Sequence, residues 1–466
     1  MTEFDFVVIG GGSAGFSAAS EGAKLGLRTM CADGGPEVGG LCILRGCMPS
    51  KTLIESANRF LTLRRAQEFG LSAGHLGFDS AAIRHRKRTL VSGFADHRQA
   101  QLEKGDFDFV RAKASFVSPH RLRLEGLDGS VREITFRTAL IATGSELNVV
   151  DVPGLAQTGY LDSDIALDSD RIPSSIIILG GGAIALEFAH FYNALGTKVT
   201  VLQRSAHFIK DADMDVSTAL IDTYRRRGAE MISGTQLVAV EKNGDGKTVR
   251  FVKDGLKQAI SAEEIFYALG RRAAIGRLQL NAAGIETNED VAIRINDRMQ
   301  SSQPHIFAAG DAAGQFEVVH IAIEQAMVAT RNAARLLKDE QLKSIDYRLR
   351  LSVIFTHPEL AYVGLTEREA RAEGRQIRVA THPFNDHGRS LVRGETDGLV
   401  KLIADANTHE IVGGAVLGPE ASELIHEIVV AMHFRAKASE LAAIPHYHPT
   451  LSEIWTYPAE ELAAFE

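Results

Sequence analysis

The stretch DFVVIGGGSAGFSAASEGAKLGLRTMCAD, residues 5–33, decides the fold class. A β-branched apolar run breaks at glycines, continues as an amphipathic helix and ends in a second apolar strand at Asp33. Gly10, Gly12 and Gly15 form the pattern Gly-x-Gly-x-x-Gly, which allows a tight turn, close approach of a pyrophosphate and close packing of helix on strand. The helix N-terminus attracts phosphates, and Asp33 can accept hydrogen bonds from ribose hydroxyls. The stretch therefore predicts a dinucleotide-binding βαβ unit; the alternative is a glycine-rich turn that binds nothing.

The same pattern returns at residues 174–204, as SSIIILGGGAIALEFAHFYNALGTKVTVLQR. Gly180, Gly182 and Ala185 occupy the motif positions. Gln203 stands as far beyond its first glycine as Asp33 stands beyond the first glycine of the earlier copy. The chain is therefore predicted to carry two dinucleotide sites.

The two predicted sites differ in the side chains at the end of the second strand, because Asp33 in the first corresponds to Gln203 in the second. Gln203 is followed by Arg204, and Lys210 lies further along the same segment. A guanidinium attracts a 2′-phosphate that a carboxylate would repel, by about 4 kcal/mol at contact for an effective dielectric constant of roughly 20. The first site is thus predicted to bind a dinucleotide without that phosphate, and the second NADPH in preference to NADH. The alternative for Arg204 and Lys210 is a solvated basic turn.

Composition excludes several classes of protein. A chain of 466 residues should form about three domains. Its net charge of -8 disfavours a general affinity for nucleic acid, and no apolar run approaches the roughly 20 residues of a membrane helix. The start MTEFDFVVIG has no features of a secretory signal, and three cysteines are typical of a cytoplasmic protein.

Five further motifs occur in one order along the chain. They are GGLCILRGCMPSK (39–51), LIATGS (140–145), IFAAGDAAG (306–314), FTHPELAYVGLTEREA (355–370) and HYHPTLSE (446–453). Together with the two glycine motifs, this order resembles that of the FAD-dependent pyridine nucleotide–disulfide oxidoreductases, the family of dihydrolipoamide dehydrogenase, glutathione reductase and mercuric reductase. The resemblance covers essentially the whole chain.

The resemblance implies an α/β fold with two Rossmann-like domains and a C-terminal α+β dimer-interface domain. The expected FAD domain is discontinuous, at residues 1–147 and 271–343. The expected NAD(P)H domain spans residues 148–270, and the interface domain spans residues 344–466. The protein is expected to be a homodimer.

Cys42 and Cys47 could form a structural disulfide, half of a metal site or a redox pair. A bond between them would close a small loop and constrain little of the unfolded chain. Cys31 on its apolar strand offers no second pair of zinc ligands and is more typical of a core residue, so no metal site is predicted. Gly46 relaxes the backbone for loop closure, and Pro49 suggests a helix beginning just after Cys47, whose N-terminus would favour a reactive thiolate. The pattern therefore favours a redox pair.

The resemblance assigns roles around this pair. Cys47 would exchange electrons with the flavin and Cys42 with the substrate, so that electrons pass from NADPH through the flavin to an external disulfide. His448 and Glu453 match the acid–base dyad that serves the disulfide of the other subunit, with His446 as a neighbour. A dyad of this kind supplies a proton carrier near neutral pH and a carboxylate that orients it.

An ion pair between Lys51 and Glu187 would lie beside the flavin; alternatively, Glu187 is only a helix residue. His320 matches a segment near the flavin, or is a core histidine. The predicted FAD-binding residues are Gly10, Gly12, Gly15, Asp33, Gly40, Lys51, Thr143, Gly144, Gly310, Asp311 and His320. The predicted NAD(P)-binding residues are Gly180, Gly182, Ala185, Gln203, Arg204, Lys210 and Gly270.

Departures from the family pattern leave the substrate open. The chain ends EELAAFE, without the C-terminal cysteines of mercuric reductases, and Ser20 and Glu21 stand where glutathione reductases carry arginines. Arg45 in the redox loop and Ala183 within the second glycine motif are also unusual. We expect a dihydrolipoamide dehydrogenase-like enzyme acting on a small disulfide or dithiol. The alternatives are an NADPH-dependent reductase of another small disulfide, a quinone or a metal ion, and a redox-sensing or complex-associated flavoprotein.

Overall fold

The computed structural model describes residues 3–466; residues 1 and 2, where the predicted FAD domain begins, lie outside the described part. The chain forms two compact units by its internal contacts. The first unit comprises the described part of Met1–Ser50, together with His85–Val149 and Gly270–Asp346. The second unit comprises Lys51–Arg84, Val150–Leu269 and Tyr347–Glu466.

The strands, in chain order, are β1 (Glu3–Ile9), β2 (Thr29–Ala32), β3 (Asp108–Val110), β4 (Ala112–Ser118), β5 (Arg121–Gly126), β6 (Val131–Ile141), β7 (Ser145–Leu147), β8 (Ser175–Leu179), β9 (Lys198–Leu202), β10 (Glu230–Ile232), β11 (Thr235–Asn243), β12 (Gly246–Lys253), β13 (Leu256–Ala262), β14 (Glu264–Tyr267), β15 (Arg271–Ala273), β16 (Ile306–Ala308), β17 (Leu351–Ile354), β18 (Glu359–Gly364), β19 (Ile377–Pro383), β20 (Leu399–Asp405) and β21 (Ile411–Gly418).

The α-helices are α1 (Ser13–Lys24), α2 (Gly40–Leu44), α3 (Cys47–Arg64), α4 (Ser80–Glu103), α5 (Leu155–Thr158), α6 (Ser163–Asp168), α7 (Ala183–Ala194), α8 (Met214–Arg226), α9 (Leu280–Ala283), α10 (Val319–Leu336), α11 (Glu367–Ala372), α12 (Gly388–Arg393), α13 (Ala421–His433), α14 (Ala438–Ala442) and α15 (Thr456–Ala463). Short 3-10 turns lie at Ala66–Phe69, Gly310–Ala313, Tyr347–Leu349, Phe384–Asp386 and Ser452–Trp455. None of the helices within residues 3–466 is long and apolar enough to cross a bilayer.

The first unit is built on a seven-stranded sheet with the order β3-β2-β1-β6-β5-β4, to which β16 adds beside β6. Strand β1 runs parallel to β2 and β6, and α1 connects β1 to β2, as the first glycine motif predicts. Phe6, Val7 and Val8 are fully buried, which is typical of a central parallel strand covered on both faces. Strands β4, β5 and β6 form an antiparallel meander.

The second unit contains three sheets. A four-stranded parallel sheet, ordered β10-β9-β8-β14, contains the second βαβ unit formed by β8, α7 and β9. Strands β11, β12 and β13 form an antiparallel sheet, and a five-stranded antiparallel sheet has the order β17-β18-β21-β20-β19. Two Rossmann-like sheets and an α+β C-terminal segment therefore occur, as the sequence predicts.

Both glycine motifs begin at a residue that only glycine can occupy without strain. Gly10 has φ 109°, and a Cβ there would lie 2.3 Å from the carbonyl oxygen of Ala142. Gly180 has φ 115°, and a Cβ there would lie 2.2 Å from the carbonyl oxygen of Ala268. Positive φ and close backbone approach both exclude a side chain. The internal repeat is thus a repeat of backbone geometry.

Candidate active site

The redox loop places its two cysteines, both in the first unit, on consecutive helices. Cys42 lies within α2, and Cys47 is the first residue of α3. Both are partly buried. The helix therefore begins at Cys47 itself, so its backbone N–H groups and dipole favour negative charge on that sulfur. Gly46 has no positive φ; its contribution is close packing, because a Cβ there would lie 3.0 Å from the carbonyl oxygen of Leu41.

The redox loop packs directly against the first glycine motif. Gly40 has φ 70°, and a Cβ there would lie 2.5 Å from Cα of Gly12. Gly12 is the N-cap of α1, so the loop contacts the turn that precedes the predicted phosphate-binding helix. This approach brings the cysteine helices and the predicted FAD pyrophosphate turn into one site.

Asp33 is buried at the end of β2, with 8% of its surface exposed. Its Oδ2 accepts a hydrogen bond from the N–H of Gly11 at 3.0 Å, and its Oδ1 accepts one from the N–H of Gly35 at 2.8 Å. Each carboxylate oxygen can accept a second hydrogen bond. The carboxylate therefore orders the glycine turn and retains capacity for a ribose hydroxyl, which stays a prediction.

The remaining FAD-motif residues of the first unit surround β7 and β16. Asp311 Oδ2 accepts a hydrogen bond from Ser145 Oγ at 2.6 Å, and Arg271 Nε donates to the same hydroxyl at 2.8 Å. The N–H of Gly310 donates to the buried Gln325 side chain at 2.7 Å. Gly144 has φ 70°, beside Thr143.

The side-chain hydroxyl of Thr143 is buried and has no hydrogen-bond partner among residues 3–466. A buried hydroxyl without a partner is costly unless a ligand or water satisfies it. Together with the side-chain-free approach of Gly12 and Gly40, this hydroxyl fits a dinucleotide such as FAD bound along the first motif. His320 is exposed on α10, so the core alternative for this residue is wrong.

Lys51 and Glu187 form an ion pair within the second unit. Lys51 Nζ lies 2.9 and 2.8 Å from the two carboxylate oxygens of Glu187, which is 5% exposed. Oε1 of Glu187 also accepts the N–H of Phe355 at 3.0 Å, and the Lys51 ammonium lies 4.9 Å from the centre of the Phe355 ring. Phe355 was not predicted; a backbone donor leaves no signal in a sequence. The alternative of Glu187 as an unpaired helix residue is wrong.

His448 and Glu453 form the predicted pair. His448 Nδ1 lies 3.0 Å from Glu453 Oε2, with 80% of the His448 side chain exposed against 11% of the Glu453 side chain. Trp455 anchors this segment, because it is fully buried and donates its Nε1–H to the carbonyl of Leu424 at 3.1 Å. His446 pairs instead with Glu427 at 2.7 Å and is a neighbour rather than a member of the pair.

The second glycine motif presents an N-terminus and an exposed basic turn. Gly182 is the N-cap of α7, and Ala185 is buried behind it. Gln203 Nε2 donates to the carbonyl of His207 at 3.4 Å. Arg204 and Lys210 are exposed, and within the described chain their side-chain cations form no ion pair or hydrogen bond. Gly270 lies in the first unit, whereas the other six predicted NAD(P) residues lie in the second.

Two residues near the site were missed at the level of sequence. Arg98 on α4 lies with its guanidinium 4.2 Å from the centre of the Phe16 ring, and its Nε is buried without a hydrogen-bond partner among the described residues. Burial lowers the pKa of Arg98, and the negative charge of Cys42 opposes that effect. His387 lies behind Glu453. Neither residue belongs to a recognisable motif.

Arg45 and Ala183, the two residues that depart from the family pattern, lie at the surface. Arg45 pairs with Glu37 at 3.2 Å at the surface, and Ala183 is exposed as the first residue of α7. Burial raises the pKa of the fully buried Cys31 thiol, so Cys31 is a core residue as predicted. Across residues 3–466 no group of three or more acidic, histidine or cysteine side chains is arranged to hold a metal ion.

Comparisons with known proteins identify the family. Residues 4–326 match the pyridine nucleotide-disulphide oxidoreductase model, and residues 351–459 match the dimerisation domain of the same family. The chain is 32% identical to dihydrolipoyl dehydrogenase of Bacillus subtilis over 464 residues, covering 97% of this chain and 96% of that protein. It is also 32% identical to mercuric reductase of Staphylococcus aureus, covering 94% of this chain and 79% of that protein.

Solved structures agree with this assignment. LpdA from Mycobacterium tuberculosis matches with a TM-score of 0.88 and 26% identity over 99% of this chain and 100% of that chain. The HOCl-induced flavoprotein disulfide reductase RclA from Escherichia coli matches with a TM-score of 0.84 and 27% identity over 98% and 99% of the two chains. The chain therefore belongs to the pyridine nucleotide–disulphide oxidoreductases, as an FAD-dependent NAD(P)H:disulfide oxidoreductase that carries the family's dimerisation domain.

Proposed function

We propose that this protein is an NADPH-dependent reductase of a small disulfide, of the dihydrolipoamide dehydrogenase type. The observation that carries the proposal is the packing of the cysteine loop on the first glycine motif, where a Cβ on Gly40 would lie 2.5 Å from Gly12 Cα. Its similarity to dihydrolipoyl dehydrogenases supports lipoamide or a similar small disulfide as the substrate.

The residues proposed to hold FAD are those of the first motif with Asp33, Thr143 and Asp311. FAD, when bound, supplies two-electron exchange between the nicotinamide and the cysteine pair. Lys51, oriented by Glu187, is proposed to place a positive charge where reduced flavin becomes negative. His320 at the start of α10 is proposed to lie at the edge of the same site.

The cysteines are proposed to react by thiol–disulfide exchange. The Cys42 thiolate attacks one sulfur of the substrate disulfide, and the departing thiolate takes a proton from His448 of the partner subunit. The Cys47 thiolate then attacks Cys42 and displaces the second substrate sulfur as a thiolate, which takes its proton from water, and a Cys42–Cys47 disulfide remains. Atoms and electrons balance, because one disulfide is consumed and another forms. The 80% exposure of the His448 side chain supports action on another subunit.

NADPH is proposed as the coenzyme because Arg204 and Lys210 are exposed cations that the described residues do not neutralise. The predicted boundaries at residues 147, 270 and 343, the homodimer and a cytoplasmic location are part of the same proposal. If the dimer supplies His448 to the partner's cysteines, a monomeric variant should lose disulfide reduction.

The test measures NADPH oxidation by the purified holoenzyme with lipoamide and with a quinone. We expect Cys42→Ser to abolish lipoamide reduction and to leave anaerobic bleaching of the flavin by NADPH intact. Ser20→Ala is the matched control, since it removes a polar atom outside the cysteine loop. Lipoamide turnover that survives in Cys42→Ser would overturn the proposed route. Quinone turnover without any lipoamide turnover in the unmodified enzyme would favour the quinone alternative.

A further inference from the structure

His387 lies on the inner side of Glu453, opposite His448. It is fully buried as the N-cap residue of α12, and its Nδ1 lies 2.8 Å from the hydroxyl of the equally buried Ser390. Its Nε2 points at Glu453 Oε1 from 3.4 Å. That Nε2 is buried and has no hydrogen-bond partner within the described residues.

The contacts of the two ring nitrogens of His387, with the Ser390 hydroxyl and with the Glu453 carboxylate, favour one tautomer. If Ser390 donates to Nδ1, the hydrogen of the neutral ring lies on Nε2 and faces the carboxylate of Glu453. The other tautomer would direct the Nε2 lone pair at a carboxylate oxygen, which is repulsive. The arrangement therefore favours an N–H that is aimed at Glu453 and needs only a small shift to reach hydrogen-bond length.

The surroundings keep His387 neutral. Burial lowers the pKa of His387, which the negative charge of Glu453 opposes and the neighbouring His382 and His448 reinforce. The aromatic ring of Tyr457 packs edge-on against His387 at 6.4 Å and stacks on His382 at 3.9 Å. A neutral imidazole can donate one hydrogen bond to Glu453 without cancelling its charge.

We propose that His387 is a positioning residue of the disulfide exchange, completing a chain Ser390–His387–Glu453–His448. It rests on the proposed role of His448 in that exchange. Nε2 of His387 faces Oε1 of Glu453 from 3.4 Å while Oε2 lies 3.0 Å from His448 Nδ1, and the two imidazoles together restrain rotation of the carboxylate. In the proposed dimer, a fixed His448 ring would present its exposed Nε2 to the departing thiolate of the partner subunit's site.

In the series Ser390–His387–Glu453–His448, the negative charge of Glu453 interacts with two imidazole rings, those of His387 and His448. Without the N–H of His387, the full charge would act on His448 and favour its protonated form. Because His448 acts as the acid in disulfide reduction, the alkaline limb of the pH profile should therefore move to higher pH. The proton-transfer step should also slow, because Glu453 is free to turn.

The experiment compares His387→Phe, which removes the donor, with His387→Gln, which keeps an N–H donor. We expect kcat with lipoamide to fall about tenfold in His387→Phe, a fraction of a whole acid–base contribution, with the alkaline limb moved to higher pH. His387→Gln should restore most of kcat and the original limb. Diaphorase turnover of NADPH with a dye should stay unchanged in both. His75→Phe is the control, because His75 is an exposed histidine of the same unit outside this cluster.

Each outcome decides the inference. Unchanged pH profiles in His387→Phe, or equal losses in the Phe and Gln variants, would overturn it as a merely structural effect. If His387→Phe does not fold or bind flavin, Ser390→Ala is the variant to measure. We expect it to shift the limb of the pH profile in the same direction by a smaller amount. The absence of any shift in Ser390→Ala would overturn the inference. His448→Ala separates the two proposals, because lipoamide turnover that survives there refutes the role of His448 itself.

Discussion

The ammonium of Lys51 bridges both carboxylate oxygens of Glu187, at 2.9 and 2.8 Å, from helices α3 and α7. The carboxylate is almost fully buried, whereas about a third of the Lys51 side chain is exposed. A buried carboxylate depends on its partner far more than an exposed ammonium does. This asymmetry makes the pair sensitive to which member is removed.

Lys51→Met should lower the free energy of unfolding by about 2 kcal/mol, less than for a fully buried pair, because among residues 3–466 it leaves the Glu187 charge with only the N–H of Phe355. Glu187→Gln should cost less, since the remaining ammonium can reach water. The urea midpoint of the holoenzyme measures both. Arg59→Met is the control on the same helix, where the pair with Glu55 is exposed and should contribute less than about 1 kcal/mol. Equal losses in Lys51→Met and Arg59→Met would contradict the prediction.

The partly buried cysteines should react with an alkylating reagent, and the fully buried cysteine should not. In reduced native protein, iodoacetamide should label Cys42 and Cys47 but not Cys31, because burial raises the pKa of Cys31 and removes it from solvent. Peptide mass spectrometry after labelling measures each site. Urea-denatured protein is the control and should be labelled at all three cysteines. Labelling of native Cys31 at the rate of the other two would show the prediction to be wrong.

Coenzyme preference should follow the turn after β9. Arg204→Ala should reduce kcat/KM for NADPH on the order of 10–100-fold and leave NADH nearly unchanged, because one charge-assisted contact with a 2′-phosphate is lost. The double change Gln203→Glu, Arg204→Ala should reverse the preference. Lys257→Ala, which removes an exposed cation on β13, is the control and should alter neither coenzyme. A preference of the unaltered enzyme for NADH would mean that this basic turn is only solvated.

The free energy of unfolding should fall in mild acid because burial favours the neutral form of His357. Burial, with the positive charges of Arg227 and Arg65, lowers the pKa of His357 from 6.5 to about 4. Its contribution to stability is complete above pH 6.5 and is lost as the pH falls towards 4, because the unfolded chain takes up a proton that the folded chain refuses. At about 1.4 kcal/mol per pKa unit the loss is about 3 kcal/mol.

His357→Asn should therefore reduce the slope of the urea midpoint against pH between pH 6.5 and 4. Part of the slope should remain, since burial also lowers the pKa of His190, which stacks on His357. His75→Gln, at an exposed position of the same unit, should leave the slope unchanged. An unaltered slope in His357→Asn would remove His357 from the acid response.

The order of motifs along the chain was sufficient for the family, the two βαβ units and the helix at Cys47. These features depend on residues that are close in sequence, because a glycine turn, an apolar strand and a helix start are determined by local backbone preference. Gly10 and Gly180 could be predicted for the same reason, since each must take a positive φ wherever the rest of the chain lies.

Contacts between distant side chains were decided only by the tertiary structure. The Lys51–Glu187 pair was predictable by resemblance, but its burial and the N–H of Phe355 were not. His320 proved exposed, and His387 reached Glu453 although no motif contains it. Such contacts depend on how α12 packs beside the C-terminal turn, and many sequences at position 387 are compatible with the same local backbone. Local preference therefore determined the elements of this protein, and packing between them decided which charges face each other.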